Sequence, residues 1–104
     1  MWSTLLFTLL APAFTFASAS TGDTLVACLR SGSPPDAVLT PSSAGYNTSR
    51  LANINARISY FPIAIVFPNT ARDVQKYVKC GADAGVAVVG RSGGHSYASY
   101  SVSR

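Results

Sequence analysis

The residues best suited to chemistry sit together in one stretch, GRSGGHSYASYS, from Gly90 to Ser101. It holds the chain's one histidine, His95, directly after Gly93 and Gly94 and flanked by Arg91, Ser92 and Ser96. Glycines permit positive φ and let successive backbone amides converge on an anion. Serine hydroxyls add donors, and an arginine either offsets anionic charge or stays on the surface. Neutral imidazole is in turn a nucleophile near physiological pH. The set therefore suits a phosphate-bearing ligand held beside a nucleophilic ring. A plain turn would use the glycines without the histidine, and a Gly-Gly-His tripeptide alone is a frequent accident, so the neighbouring elements decide.

Those elements are legible from Pro62 onward. IAIVFP is a continuous apolar, β-branched run closed by a proline, the pattern of a buried strand. Thr70 and Asp73 then have capping-box spacing, with Asp where Glu is commoner. Val74, Tyr77, Val78 and Gly81 follow at i, i+3, i+4 and i+7 as the apolar stripe of a helix that Gly85 stops. VAVVG, from Val86 to Gly90, reads as a second buried strand. The expectation is a strand, helix, strand unit of about 30 residues, right-handed and parallel, that delivers the glycine loop at its end. Two other phosphate motifs fail. Gly90, Gly93 and Gly94 lack the G-x-G-x-x-G spacing. GVAVVGRS approximates a Walker loop with Arg91 in place of lysine, but its middle residues are the expected strand and no helical period follows.

Upstream, an apolar run from Leu5 to Phe16 and the small residues Ala17, Ser18 and Ala19 have the shape of an export signal spanning residues 1–19. The run is broken by Pro12 and is shorter than the roughly 20 apolar residues of a bilayer span. Much of the 48% hydrophobic content belongs to this leader, so the remainder is not membrane-like. Its eight basic residues are scattered singly, so the net charge of +4 forms no nucleic-acid patch. A mature chain of this size buries only about 60 to 65% of its unfolded surface. Two cysteines in an exported chain permit one intramolecular bridge, Cys28 to Cys80, worth about 4 kcal/mol in the chain-entropy picture; two buried free thiols are the alternative. Asn47, Thr48 and Ser49 form a glycosylation sequon. Residues 20–61 read as a helix capped by Ser20 or Thr21 and stopped at Gly32, then an extended, unpacked connector with a few strand residues near 37–40. The run ANINARISYFP, residues 52–62, has no clear period and reads as irregular or briefly extended chain.

The set PIAIVFPNTARDVQKYVKCGADAGVAVVGRSGGHSYASYS, from Pro62 to Ser101, resembles the first part of the FAD-binding domain of the vanillyl-alcohol oxidase superfamily. The histidine after R-S-G-G, and the placement of Cys28 and Cys80, are similar to its secreted berberine-bridge-enzyme-like and oligosaccharide-oxidase branch. The resemblance implies an α/β fold, the first lobe of an FAD-binding domain of PCMH type over residues 62–104. It implies that Arg91, Ser92, Gly93, Gly94, His95 and Ser96 bind FAD, with His95 joined covalently to the flavin 8α-methyl. It further implies a secreted oxidoreductase acting on a sugar or other alcohol, with molecular oxygen as acceptor. It places no catalytic residue, no metal ligand and no nucleic-acid or membrane partner in this stretch. Tyr77 is expected in the core, and Tyr97 and Tyr100 packed against neighbouring chain. The ending SVSR departs from the family's continuation, a glycine turn leading into another strand. A fragment inactive alone is therefore expected; the competing reading is a small secreted binding protein stapled by one disulfide and carrying a relic flavin loop.

Overall fold

A computed structural model describes residues 11–15, 17–52 and 55–101. Most of the apolar run of the expected leader lies outside the described residues. Among those described, no helix is long and apolar enough to cross a membrane.

Two helices begin where their caps predict. In α1, Thr21–Arg30, the Ser20 hydroxyl oxygen accepts from the Asp23 amide at 3.2 Å, and the Asp23 carboxylate accepts from the Ser20 hydroxyl at 2.7 Å. Leu25 and Leu29, one turn apart, are its buried residues. A later helix, Ala71–Asp83, has the same reciprocal cap. There the Thr70 hydroxyl oxygen accepts from the Asp73 amide at 3.1 Å, and the Asp73 carboxylate accepts from the Thr70 amide at 2.9 Å. Hydrogen bonding to the Thr70 side chain, then to the Asn69 amide, holds the Asp73 carboxyl below the ordinary carboxylate range. Aspartate thus serves as well as glutamate at both caps. The helix ends before Gly85, as predicted.

The connector is more structured than its composition suggests. A 3₁₀ turn, Pro35–Ala37, leads into β1, Val38–Leu39. After Gly45 comes α2, Tyr46–Leu51, and later β2, Ile65–Val66; the helix Ala71–Asp83 is therefore α3. β1 and β2 pair antiparallel, Val38 opposite Val66 and Leu39 opposite Ile65. Val38 and Tyr46, expected in unpacked chain, are each only 2% exposed. The Tyr46 hydroxyl donates to the Pro62 carbonyl at 2.7 Å. Burial pushes this phenol's pKa up, partly offset by the charge of Arg50. Elements of two and six residues are too short to carry a period, so proline, serine and glycine dominate the local signal.

Val86–Gly90 corrects the expectation of a second buried strand. The run forms no ladder, and Val88 and Val89 are 50% and 43% exposed. The right-handed parallel unit is accordingly absent among the described residues, and β2 takes its partner from the connector instead. The physical reason is layering: parallel strands are stable when both sheet faces are covered, and here α1 and α3 pack beside a two-stranded ribbon. Three helices and that ribbon are compatible with a fragment of an α/β fold.

The core is the contact of α1, α3 and β1: Leu25, Leu29, Val38, Tyr77 and Cys80, with Ile63, Val66 and Val86 packed against it. Tyr77 is buried as expected, whereas Val74 and Val78 of the predicted stripe are half exposed. The buried face of α3 runs through Tyr77, Cys80 and Gly81 instead. Gly81 is required by close approach, because a Cβ there would lie 2.2 Å from Val88 Cγ2. Across this core Cys28 and Cys80 form the predicted disulfide, with Cα atoms 5.8 Å apart and a sequence separation of 52. Cys28→Ser, or reduction, removes a cross-link worth up to about 4 kcal/mol. The thermal unfolding midpoint, followed by circular dichroism, is expected to fall by at least roughly 10 °C.

Candidate functional site

Gly90–Ser101 is an irregular loop held from both sides by the α2 region. Arg91 enters it half buried, and its Nη2 donates to the Ser49 carbonyl at 2.7 Å, so its charge is committed to the α2 backbone. The Asn55 side-chain amide donates to the Tyr97 carbonyl at 2.7 Å on the far side of His95, while Asn55 Oδ1 accepts from the Arg57 amide at 3.1 Å. A tight turn closes the loop: the Ser99 amide donates to the Ser96 carbonyl at 3.0 Å, and the Tyr100 amide to Ser96 Oγ at 3.3 Å. Ser99 is 1% exposed, with φ 55°.

Between these fixed points lie Ser92, Gly93, Gly94 and His95. Ser92 and His95 are exposed and Gly94 is buried with φ 70°. The imidazole folds back over Gly93, where an added Cβ would lie 2.5 Å from His95 Cδ2. Glycine is therefore needed at 93 for the ring to take this position and at 94 for the left-handed turn. The structure brings all six expected residues onto one short surface, but in different roles. Ser92, Gly93 and His95 are exposed, Gly94 is buried, Ser96 spends its acceptor on the turn, and Arg91 anchors the loop through Ser49. Tyr97 and Tyr100 are 79% and 83% exposed, contrary to the expected packing against neighbouring chain. The loop contains no acidic residue to repel an anion.

A separate cleft of about 460 Å³ opens between Ile63–Val66 and Val86–Val89, floored by Leu25, Leu29 and Tyr77. Arg91 borders it, but Gly93, Gly94 and His95 do not line it. Its second cation, Arg50, is also occupied. Arg50 Nε donates to Asn47 Oδ1 at 2.7 Å, Nη1 donates to Ser59 Oγ at 2.6 Å, and the guanidinium lies 4.1 Å from the Phe61 ring centroid. Asn47 is exposed in the first turn of α2. No cluster of metal-ligating side chains occurs among the described residues. The sequence pattern does not single out Asn55 or Ser49, because each acts on residues 42 positions away.

The donor types suit a phosphate-bearing cofactor: the amides of Gly93 and Gly94, the neighbouring serine hydroxyls and an exposed imidazole folded over Gly93. No family model and no solved structure matches the chain, but curated proteins do. A glucooligosaccharide oxidase of Sarocladium strictum is 48% identical over 46 residues, covering 44% of this chain and 9% of the relative. A xylooligosaccharide oxidase of Thermothelomyces thermophilus is 38% identical over 73 residues, 70% of this chain and 14% of the relative. An FAD-linked oxidoreductase of Penicillium rubens, sorD, is 38% identical over 69 residues, 66% and 14%. Over these stretches the chain is similar to oligosaccharide oxidases and FAD-linked oxidoreductases.

The similarity is to a segment: the chain spans about a tenth to a seventh of the length of these relatives. One of these relatives is named FAD-linked, and the glycine loop is the part of this segment whose donors suit the anionic half of such a cofactor. Its geometry is open to a direct check. Gly93→Ala places a methyl group inside the imidazole's present volume and is expected to move the ring. Because His95 is the chain's one histidine, the change reads out as displacement of a single imidazole resonance in the NMR spectrum. The α1 and α3 amide signals are expected to stay in place.

Proposed function

We propose that this chain is the flavin-anchoring part of an exported oxidase that acts on the hemiacetal or alcohol carbon of a sugar, with molecular oxygen as electron acceptor. The observation that carries the proposal is the exposed imidazole of His95 lying on a glycine cradle, in a segment whose relatives are named oligosaccharide oxidases and FAD-linked oxidoreductases.

FAD, when bound, supplies two-electron acceptance from the substrate carbon and transfer of the pair to oxygen, which leaves as hydrogen peroxide. The protein's share is binding, orientation and electrostatics. The amides of Gly93 and Gly94 and the hydroxyls of Ser92 and Ser96 would hold the pyrophosphate by charge-assisted hydrogen bonds. His95 would be the attachment residue for the flavin 8α-methyl through a ring nitrogen; the C–H bond lost there would leave its proton to solvent and its electron pair to the flavin, which oxygen reoxidises. Arg91 contributes long-range positive charge and anchoring, since its guanidinium already donates to Ser49. No described residue is assigned as catalytic base or sugar ligand, and the chain by itself is expected to show no turnover. Export fits the leader-like residues 1–19 and the disulfide, and Asn47 is the expected glycan site, exposed at the start of α2.

The flavin reading is tested in a chimera in which this chain replaces the matching segment of the Sarocladium strictum oxidase. The chimera should carry yellow flavin that stays with the polypeptide after acid precipitation, and His95→Ala should release it. A folded chimera without flavin, or flavin retained through denaturation in the His95→Ala variant, would falsify the assignment. For export, the full chain expressed in a fungal host should appear in the medium. Glycosidase treatment should then convert Asn47 to aspartate, read by peptide mass. Retention in the cell argues against the leader, whereas a secreted chain with unmodified Asn47 argues against the glycan site alone.

A further inference from the structure

The loop that presents His95 is fastened at two points, and both fasteners come from one short region. Arg91 lies just before the Ser92–His95 stretch and donates to the carbonyl of Ser49, within α2. Tyr97 lies just after it and receives the side-chain amide of Asn55, shortly beyond α2. The α2 region is itself fixed to the start of the β2 segment, by Tyr46 donating to the Pro62 carbonyl and by Arg50 donating to Ser59 and lying over Phe61. We propose that Asn55 and Arg91 are positioning residues for His95, forming a two-point strap that transmits the placement of α2 to the imidazole. The proposal rests on His95 as the flavin attachment residue, and it gives Arg91 a different task from phosphate binding.

The argument is one of loop entropy and geometry. The presented stretch contains two glycines, which have the largest backbone freedom to lose. Without fixed ends it would sample many conformations, and few would lay the imidazole over Gly93. Tying residues 91 and 97 restricts that ensemble, and the Ser96–Ser99 turn shortens the free length further. A nucleophile gains rate from being held near its reacting geometry, so a strap acting only on backbone carbonyls affects attachment without touching the cofactor. The bonds are also chemically specific. Asn55 accepts from the Arg57 amide through Oδ1 and donates to Tyr97 through Nδ2, so the donor half of the side chain is the part bonded to Tyr97.

Asn55→Asp is the informative variant, because it keeps the acceptor for Arg57 and replaces the donor to Tyr97 with a repelling oxygen. Arg91→Met removes the second fastener while keeping apolar bulk, and Arg91→Lys retains a donor. In the full chain without flavin, Asn55→Asp and Arg91→Met should each speed amide hydrogen exchange over residues 92–98 by roughly five- to tenfold, the scale of one lost hydrogen bond. The same variants should raise the rate at which diethyl pyrocarbonate modifies His95, with exchange in α1 and α3 unchanged. Arg91→Lys should stay near the native values. In the chimera, the rate of flavin attachment should fall several-fold in the first two variants and recover in Arg91→Lys. Native loop exchange in folded variants overturns the strap, and so does a loosened loop with an unchanged attachment rate. Should Asn55→Asp lose protection throughout, the Arg91→Met and Arg91→Lys pair decides the question. A chimera that attaches no flavin with the native loop overturns the reading of His95 instead.

Discussion

The Cys28–Cys80 disulfide is the constraint on which the other contacts depend. The buried core amounts to Leu25, Leu29, Val38, Tyr77 and Cys80, too little apolar surface to offset the conformational entropy of a chain this size comfortably. A cross-link between α1 and α3 removes much of the unfolded chain's freedom, joining core Cys80 to half-buried Cys28 packed against it. Polar contacts then finish the junction. Lys76 reaches the Ser31 carbonyl and the Ser33 hydroxyl, and the Tyr77 hydroxyl lies 3.2 Å from Ser33 Oγ. An ammonium at the carbonyl end of α1 also meets the negative end of that helix's dipole. Side-by-side placement of α1 and α3 sets where β1 and Ile63–Val66 can pack.

Much apolar surface remains uncovered around this centre. Val74 and Val78 on α3, Phe67 after β2, and Val88 and Val89 are all about half exposed. The cleft between Ile63–Val66 and Val86–Val89 separates two extended runs that do not pair with each other. Such surfaces are what an α/β sheet covers with further strands and a second helical layer. That agrees with a segment spanning 9–14% of its relatives' length.

The glycine loop depends on the core at one remove. Core packing fixes Ile63–Val66, the adjoining Pro62 carbonyl holds Tyr46, and α2 with Asn55 holds the loop. Ser92, Gly93 and His95 stay exposed, while the residues on either side are tied through the Ser49 and Tyr97 carbonyls.

The sequence alone determined the features that arise from interactions within a few residues or from a choice with one outcome. Both helix starts were legible because Ser20 with Asp23 and Thr70 with Asp73 satisfy each other locally. The disulfide was legible because two cysteines allow one bridge. The glycine loop was legible because Gly93, Gly94 and His95 are contiguous. Tertiary structure decided what depends on distant partners. The antiparallel pairing of Val38–Leu39 with Ile65–Val66, the burial of Tyr46 against Pro62, and the openness of Val86–Gly90 have no local period to announce them. The turn of Arg91 toward Ser49 belongs with them, since that partner is 42 residues distant and is a backbone carbonyl, a group every residue carries and no sequence motif marks.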